Sequence, residues 1–199
     1  PDYAGAGRAS GARFGRWHCA RQLVASGVRA MMVSSNEVQM LVLKACRGVG
    51  VPMGQAREVA VALAETPQAL AALLPHLARP MQPAKFDFSD GLTVQDASLL
   101  RDFPACADAA ALGVQKVRIC DLAACDLAHA LARSRGLTIA AEGADVVFTG
   151  TEAAPPEESR CAVLPEIWQQ VTSFAALTYV PETDASRVGG AGAGLSDND

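Results

Sequence analysis

The amino-acid sequence predicts an α/β or α+β fold, an N-terminal helical subdomain followed by a mixed sheet with packing helices. Three observations carry this. Residues 34 to about 78 hold successive apolar stripes at helical spacing. Residues from about 86 onward interleave short β-type runs with further helical stretches. Half of the 199 residues are hydrophobic, enough to fold a core rather than stay disordered. Much of that half is alanine and only 5% of the chain is aromatic, so the expected core is helix-rich and packed by Leu, Val and Ala.

The first element is "SSNEVQMLVLKACRGVG". Ser34 with Glu37 three places on is a capping box, and Val38, Leu41, Val42, Ala45, Cys46 and Val49 form one helical face. Gly48 and Gly50 offer stops, with Lys44 and Arg47 favouring the negative end of the helix dipole. A second helix is expected from about Gly54 to Glu65. A third restarts at Thr66-Pro67, with Leu70, Leu73, Leu74 and Leu77 as its stripe and Pro75 as its end or kink.

The prolines of "RPMQP" mark a connector. Phe86 and Phe88 then alternate with Asp87, and Asp90-Gly91 is a turn. A helix over about 96–112, a strand in "VQKVRIC", and a helix from about Leu122 to Arg135 capped by Asp121 follow. "LTIAA" and "DVVFTG" read as a hairpin across Glu142-Gly143, and "RCAVLP" as a short strand. The last helix opens at Pro165 and carries Leu164, Trp168, Val171, Ala175 and Tyr179 along one side. The expected organisation is a non-domain leader over 1–31, a helical subdomain over 32–80, a mixed body over 81–181 and a Gly-rich segment over 182–199. The leader is expected to be disordered or not native, because Pro1 is no initiator and Met31-Met32 directly precedes the first capped helix.

Charge excludes some functions. Residues 1–30 carry five Arg and one Asp, leaving 12 basic against 20 acidic residues over 31–199. An acidic body repels a phosphate backbone, so nucleic acid is not an expected partner. No apolar run approaches the roughly 20 residues of a spanning helix, so a membrane is not expected either. The six cysteines, at 19, 46, 106, 120, 125 and 161, form no C-x-x-C pair and follow no export signal. They read as reduced, mostly buried thiols of a cytoplasmic protein.

Chemistry-bearing residues are sparse. Cys120, Cys125 and His129 form a weak metal candidate, since 125 and 129 lie one helical turn apart and thiolate with imidazole suits zinc. A fourth ligand at metal-site spacing is lacking, so no metal is assigned. A nucleophile–base pair between a Ser or Cys and His76 or His129 is open, but nothing in the sequence joins them. Gly48-Val49-Gly50 follows a helix rather than a strand, so it is not a dinucleotide fingerprint. No cofactor is assigned.

The closing run "GGAGAGLSDND" has no helix after it and is acidic, which disfavours phosphate. By itself it reads as a mobile tail. Yet "VSSNEVQMLVLKACRGVGVPMGQAREVA" and "TYVPETDASRVGGAGAGLSDND" together resemble the bacterial domain of unknown function 3726 family. Its members begin with an "SLNE" type helix and end "TYVP…S…GAGAGLTDND". Ser35-Asn36-Glu37, Thr178 to Pro181, Ser186-Arg187 and Gly190 to Asp199 carry the likeness, with Ser34 and Ser196 as departures. The resemblance implies that the glycine segment packs against the body or a partner. It transfers no catalytic residue, because the family has no known activity. The first two helices also look like those of malate/lactate-type NAD(P)-dependent dehydrogenases that lack a standard Rossmann domain. The histidine-bearing stretch that follows in those enzymes is missing here, which leaves a shared module or coincidence.

The expected function is that of a cytoplasmic binding or accessory protein of a metabolic enzyme. The alternative is a small-molecule enzyme whose pocket is closed by the C-terminal glycine loop. Candidate binding residues for either are Tyr179, Ser186, Arg187, Gly190, Gly192, Gly194, Asp197 and Asp199. Tyr and Arg beside a glycine loop suit an anionic small molecule.

Overall fold

Ser34 closes one element and opens the next. It ends strand β1 (Met31–Ser34) and caps helix α1 (Ser35–Gly48). The capping box is complete: Glu37 N–H donates to Ser34 Oγ at 3.2 Å and Ser34 N–H donates to Glu37 Oε2 at 2.7 Å. These bonds hold the Glu37 carboxyl below its ordinary value. At the other end Gly50 takes φ +88, and the Val51 N–H closes onto Cys46 O. Arg47 Nη1 donates to Val51 O, so both expected devices, glycine stop and basic last turn, are present.

The computed structural model describes residues 29–80, 82–122, 125–151 and 160–179. After α1 come α2 (Met53–Glu65), a 3-10 turn (Pro67–Ala69) and α3 (Leu70–Ala78). Thr66 precedes the 3-10 turn without a side-chain cap. Pro75 does not end α3, which runs three residues further. Both Pro75 and Ala71, whose carbonyl it leaves without that N–H, are exposed, so the carbonyl is not stranded in the core.

The body follows as β2 (Lys85–Asp87), β3 (Leu92–Gln95), α4 (Phe103–Ala111), β4 (Val117–Ile119), α5 (Asp126–Arg133), β5 (Leu137–Glu142) and β6 (Asp145–Thr151). Its sheet has the order β2-β3-β4-β6-β5, and only β3-β4 is parallel. The chain ends its described part with β7 (Arg160–Val163), α6 (Pro165–Ala175) and a 3-10 turn (Ala176–Thr178). The architecture is α+β.

The register sorts the sheet into two faces. Val94 stands opposite Ile119 and Ile119 opposite Val146, all fully buried. The helices cover this side, where Phe103 of α4 meets Phe148 at 5.3 Å between ring centroids. The other side carries Thr93, Arg118, Val147 and the Thr138–Thr149 hydroxyl pair, none of them buried. Arg118 ties β4 to both strands of the expected hairpin beside its turn, at 2.8 Å to Asp145 and 2.6 Å to Glu142.

Two expected helices are shorter than their sequence suggests. The stretch 96–112 is helical only from Phe103: Asp96 takes a left-handed φ of 56°, and the chain then turns, with the N–H groups of Arg101 and Asp102 both donating to Ser98 O. The helix expected from Leu122 starts at Asp126 with Cys125 at its N-cap. Asp121 does not cap it: Asp121 sits at φ 53° and its N–H donates to Asp145 Oδ1. A left-handed residue turns the chain before a right-handed helix can begin.

The least expected feature is how the chain closes. Met31, assigned to the leader by sequence, is the first residue of β1, and β1 pairs antiparallel with β7 from Met31↔Val163 to Ser34↔Arg160. Helix α1 lies on α6, so the first helices share a layer with the last one. Arg135 joins the rest, donating to Pro104 O at 3.0 Å and pairing with Asp108 of α4 and Glu58 of α2. One hydrophobic core runs through all of it, from Val38 and Leu63 to Leu73, Ile119 and Val171.

At the α1–α6 contact, a Cβ on Gly48 would stand 2.2 Å from Phe174 O. Alanine is the better helix former by about 1 kcal/mol. Pushing a packed backbone apart costs about 1–3 kcal/mol. The Gly48→Ala variant is therefore expected to unfold at lower denaturant concentration than the parent. A higher midpoint would show that α6 is not seated against α1.

Candidate functional site

The last described residue, Tyr179, is the one candidate binding residue that can be placed. The sequence sets it along one side of α6 with Val171 and Ala175. Those two are buried, but Tyr179 is 66% exposed. The 3-10 turn after Ala175 advances about 120° per residue rather than 100°, so the ring leaves the buried stripe. It comes instead to Lys44, whose Nζ lies 5.7 Å from the ring centroid. An exposed contact of this kind contributes about 0.5–1 kcal/mol, enough to bias the ring's position.

Lys44 belongs to a stripe of α1 with Met40 and Gly48, each four residues apart. Leu177 packs at Gly48, its Cβ 3.1 Å from where a glycine Cβ would be. Met40, Leu177 and Tyr179 are all exposed. A continuous surface therefore runs Met40–Lys44–Tyr179–Leu177, apolar with one cation at its centre. Ser186, Arg187, Gly190, Gly192, Gly194, Asp197 and Asp199 lie outside the described residues.

The metal candidate separates into its parts. Cys125 Sγ lies 3.9 Å from His76 Nε2, on the last turn of α3. His129 is exposed on α5 and meets Cys125 only through its backbone N–H, which donates to Cys125 O. Cys120 follows β4, and burial together with the carboxylates of Asp145 and Asp121 raises its thiol pKa. Among the described residues no group of three or more His, Cys, Asp or Glu is gathered as for a metal ion. Cys46, Cys106 and Cys161 are buried and outside any disulfide, as the sequence suggested for most thiols. Burial pushes Cys46 and Cys106 up to about 12, which makes them unreactive.

The Cys125–His76 contact spans 49 positions and joins α3 to the start of α5. No spacing rule reaches that far, so the sequence could not select this pair from the other Cys–His combinations. Beside His76 opens a cavity of ≈ 60 Å³ lined also by Arg79, Asp96, Ser98, Leu99 and Leu122. It has room for roughly four or five waters. That suits an ion or a very small molecule rather than a nucleotide-sized cofactor. Its wall is fixed by Asp102, a buried carboxylate that accepts from Ser98 N–H at 2.8 Å and from Arg101 Nε at 2.8 Å. Arg101 in turn reaches Gln82 O, which ties the connector after α3 to this loop.

Comparison with family models, curated proteins and solved structures gives no match.

Burial, with the Arg79 cation second, holds His76 below its ordinary value of 6.5. As pH falls, the unfolded chain binds a proton on this residue before the folded chain does. The stabilisation is thus complete above about pH 6.5 and is lost as pH drops toward the lower folded value. Thermal unfolding from about pH 7.5 to about pH 5.5 is expected to show a larger midpoint drop in the parent than in His76→Gln. Equal drops in both proteins would contradict this.

Proposed function

We propose that this chain is a cytoplasmic binding or accessory protein that acts beside a metabolic enzyme. The single observation behind this is the exposed run Met40–Lys44–Tyr179–Leu177. Apolar groups around a positioned cation suit a protein partner that offers an apolar patch with a carboxylate. Tyr179 is also the second residue of the "TYVP" stretch on which the likeness to the bacterial family of unknown function rests, so one residue bears on both. No helix of the described residues is long and apolar enough to cross a membrane.

The test is recovery of the whole tagged chain from its source cells with identification of what accompanies it. A metabolic enzyme is expected to accompany the parent and to be lost, at unchanged melting temperature, from Tyr179→Ser combined with Lys44→Glu. A parent recovered with no enzyme, or a variant that retains it, contradicts the proposal.

A second reading is favoured by the Cys125–His76 contact: a small-molecule enzyme whose pocket is closed by the C-terminal glycine loop. A neutral imidazole beside a half-buried thiol is an arrangement for activating a nucleophile. On this reading iodoacetamide alkylates Cys125 of the native protein about tenfold faster than Cys120. His76→Gln removes the difference. Equal rates at the two thiols in the parent would dispose of it.

A further inference from the structure

The edge strand β2 carries an unused pairing surface whose chemistry is complementary to itself. Among the described residues β2 has one neighbour, β3, and its other side is open. Which backbone groups face that open side follows from the ladder. Leu92 N–H donates to Lys116 O, and Cys120 N–H donates to Val94 O. The polar backbone groups of Leu92 and Val94 therefore point toward β4, and those of Thr93 and Gln95 point toward β2. In the observed register Lys85 faces Gln95 and Asp87 faces Thr93, so Lys85 and Asp87 spend their backbone groups on β3. Phe86, opposite Val94, directs its N–H and C=O outward.

The side chains point the same way. Phe86 stands across from fully buried Val94 and so lies on the helix-covered face of the sheet, yet it is 46% exposed. Phe88, just past the strand, is 72% exposed. The core-facing side of the sheet thus runs one strand beyond its covering helices and ends in two uncovered aromatics.

We infer that β2 pairs antiparallel with β2 of a second copy of this chain, about a twofold axis through Phe86. At that register the two Phe86 residues exchange both outward hydrogen bonds. Lys85 of each copy then stands directly opposite Asp87 of the other, in a close pair without backbone bonds, where opposite charges attract most. Phe88 falls opposite Ala84, and two five-stranded sheets become one of ten strands. No other register centred on this strand brings both charges into opposite-sign pairs. A three-residue strand makes a small interface, so the dimer is concentration-dependent rather than obligate. This surface is separate from the Tyr179 patch, and neither inference requires the other.

Sedimentation equilibrium of the whole chain over a range of concentrations tests it. The parent is expected to move from the 20.6 kDa chain mass toward twice that value as concentration rises. Lys85→Asp and Asp87→Lys each set like charges opposite one another twice per dimer and weaken association about tenfold. The double exchange Lys85→Asp/Asp87→Lys restores it. Because Lys85 also pairs with Asp96 at 3.0 Å, each variant's melting temperature is read alongside. A parent that stays at one chain mass, singles that associate like the parent, or a double exchange that fails to recover would each overturn the inference.

Discussion

The backbone of α1 meets the backbone of α6 at Gly48, where any side chain would run into the Phe174 carbonyl. Almost every other feature depends on that contact together with the β1–β7 pairing beside it. Val38, Val42 and Cys46 are buried on α1, and Val171 and Ala175 on α6. With α6 displaced, those side chains would lose their cover. Five such residues at about 1.5 kcal/mol or more each, fewer for alanine, outweigh any gain from relaxing one turn of helix. Two segments far apart in the sequence, Met31–Ser34 and Arg160–Val163, are thereby held in one layer. The exposed Tyr179 reaches Lys44 only because that layer is closed.

The remaining layer is a sheet covered on one side. Helices α4 and α5 bury Val117, Ile119 and Val146, while the opposite face stays polar around Arg118. A one-sided sheet has two edges that need an answer. At β2 a short strand and two charges limit the open edge, but Phe86 and Phe88 remain uncovered. The junction between the two layers is polar as well as apolar. Arg135 links α2 with α4, and Asp102 fixes the loop beside the His76 cavity. That junction is where Cys125 and His76 meet, between parts of the chain the sequence reads as separate.

What the sequence made legible was local. The Ser34–Glu37 box, the first three helical stripes, the Gly50 stop and the β5–β6 hairpin all follow from residues within one or two turns of each other. What it hid was non-local or hinged on one backbone angle. Strand β1 has four residues and no alternation, and only its partner 129 positions on makes it a strand. The α5 start was misplaced because left-handed Asp121 looks like any capping aspartate in a string of letters. The departure of Tyr179 from the side of Val171 and Ala175 is hidden as well, because the change from α to 3-10 winding leaves no mark in the pattern. For the candidate site, Tyr179 was named and its exposure was not, while the Cys125–His76 pair required tertiary structure. The functional expectation comes chiefly from motifs the sequence lacks rather than from any it carries.

Closure of the chain is the claim on which these points converge, and native-state amide hydrogen exchange of the whole protein addresses it most directly. The account predicts that the interior amides of β7 and α6 open at the same free energy as those of α1, as one cooperative unit. Exchange of β7 and α6 at a markedly lower free energy than α1, with α1 still protected, would contradict it.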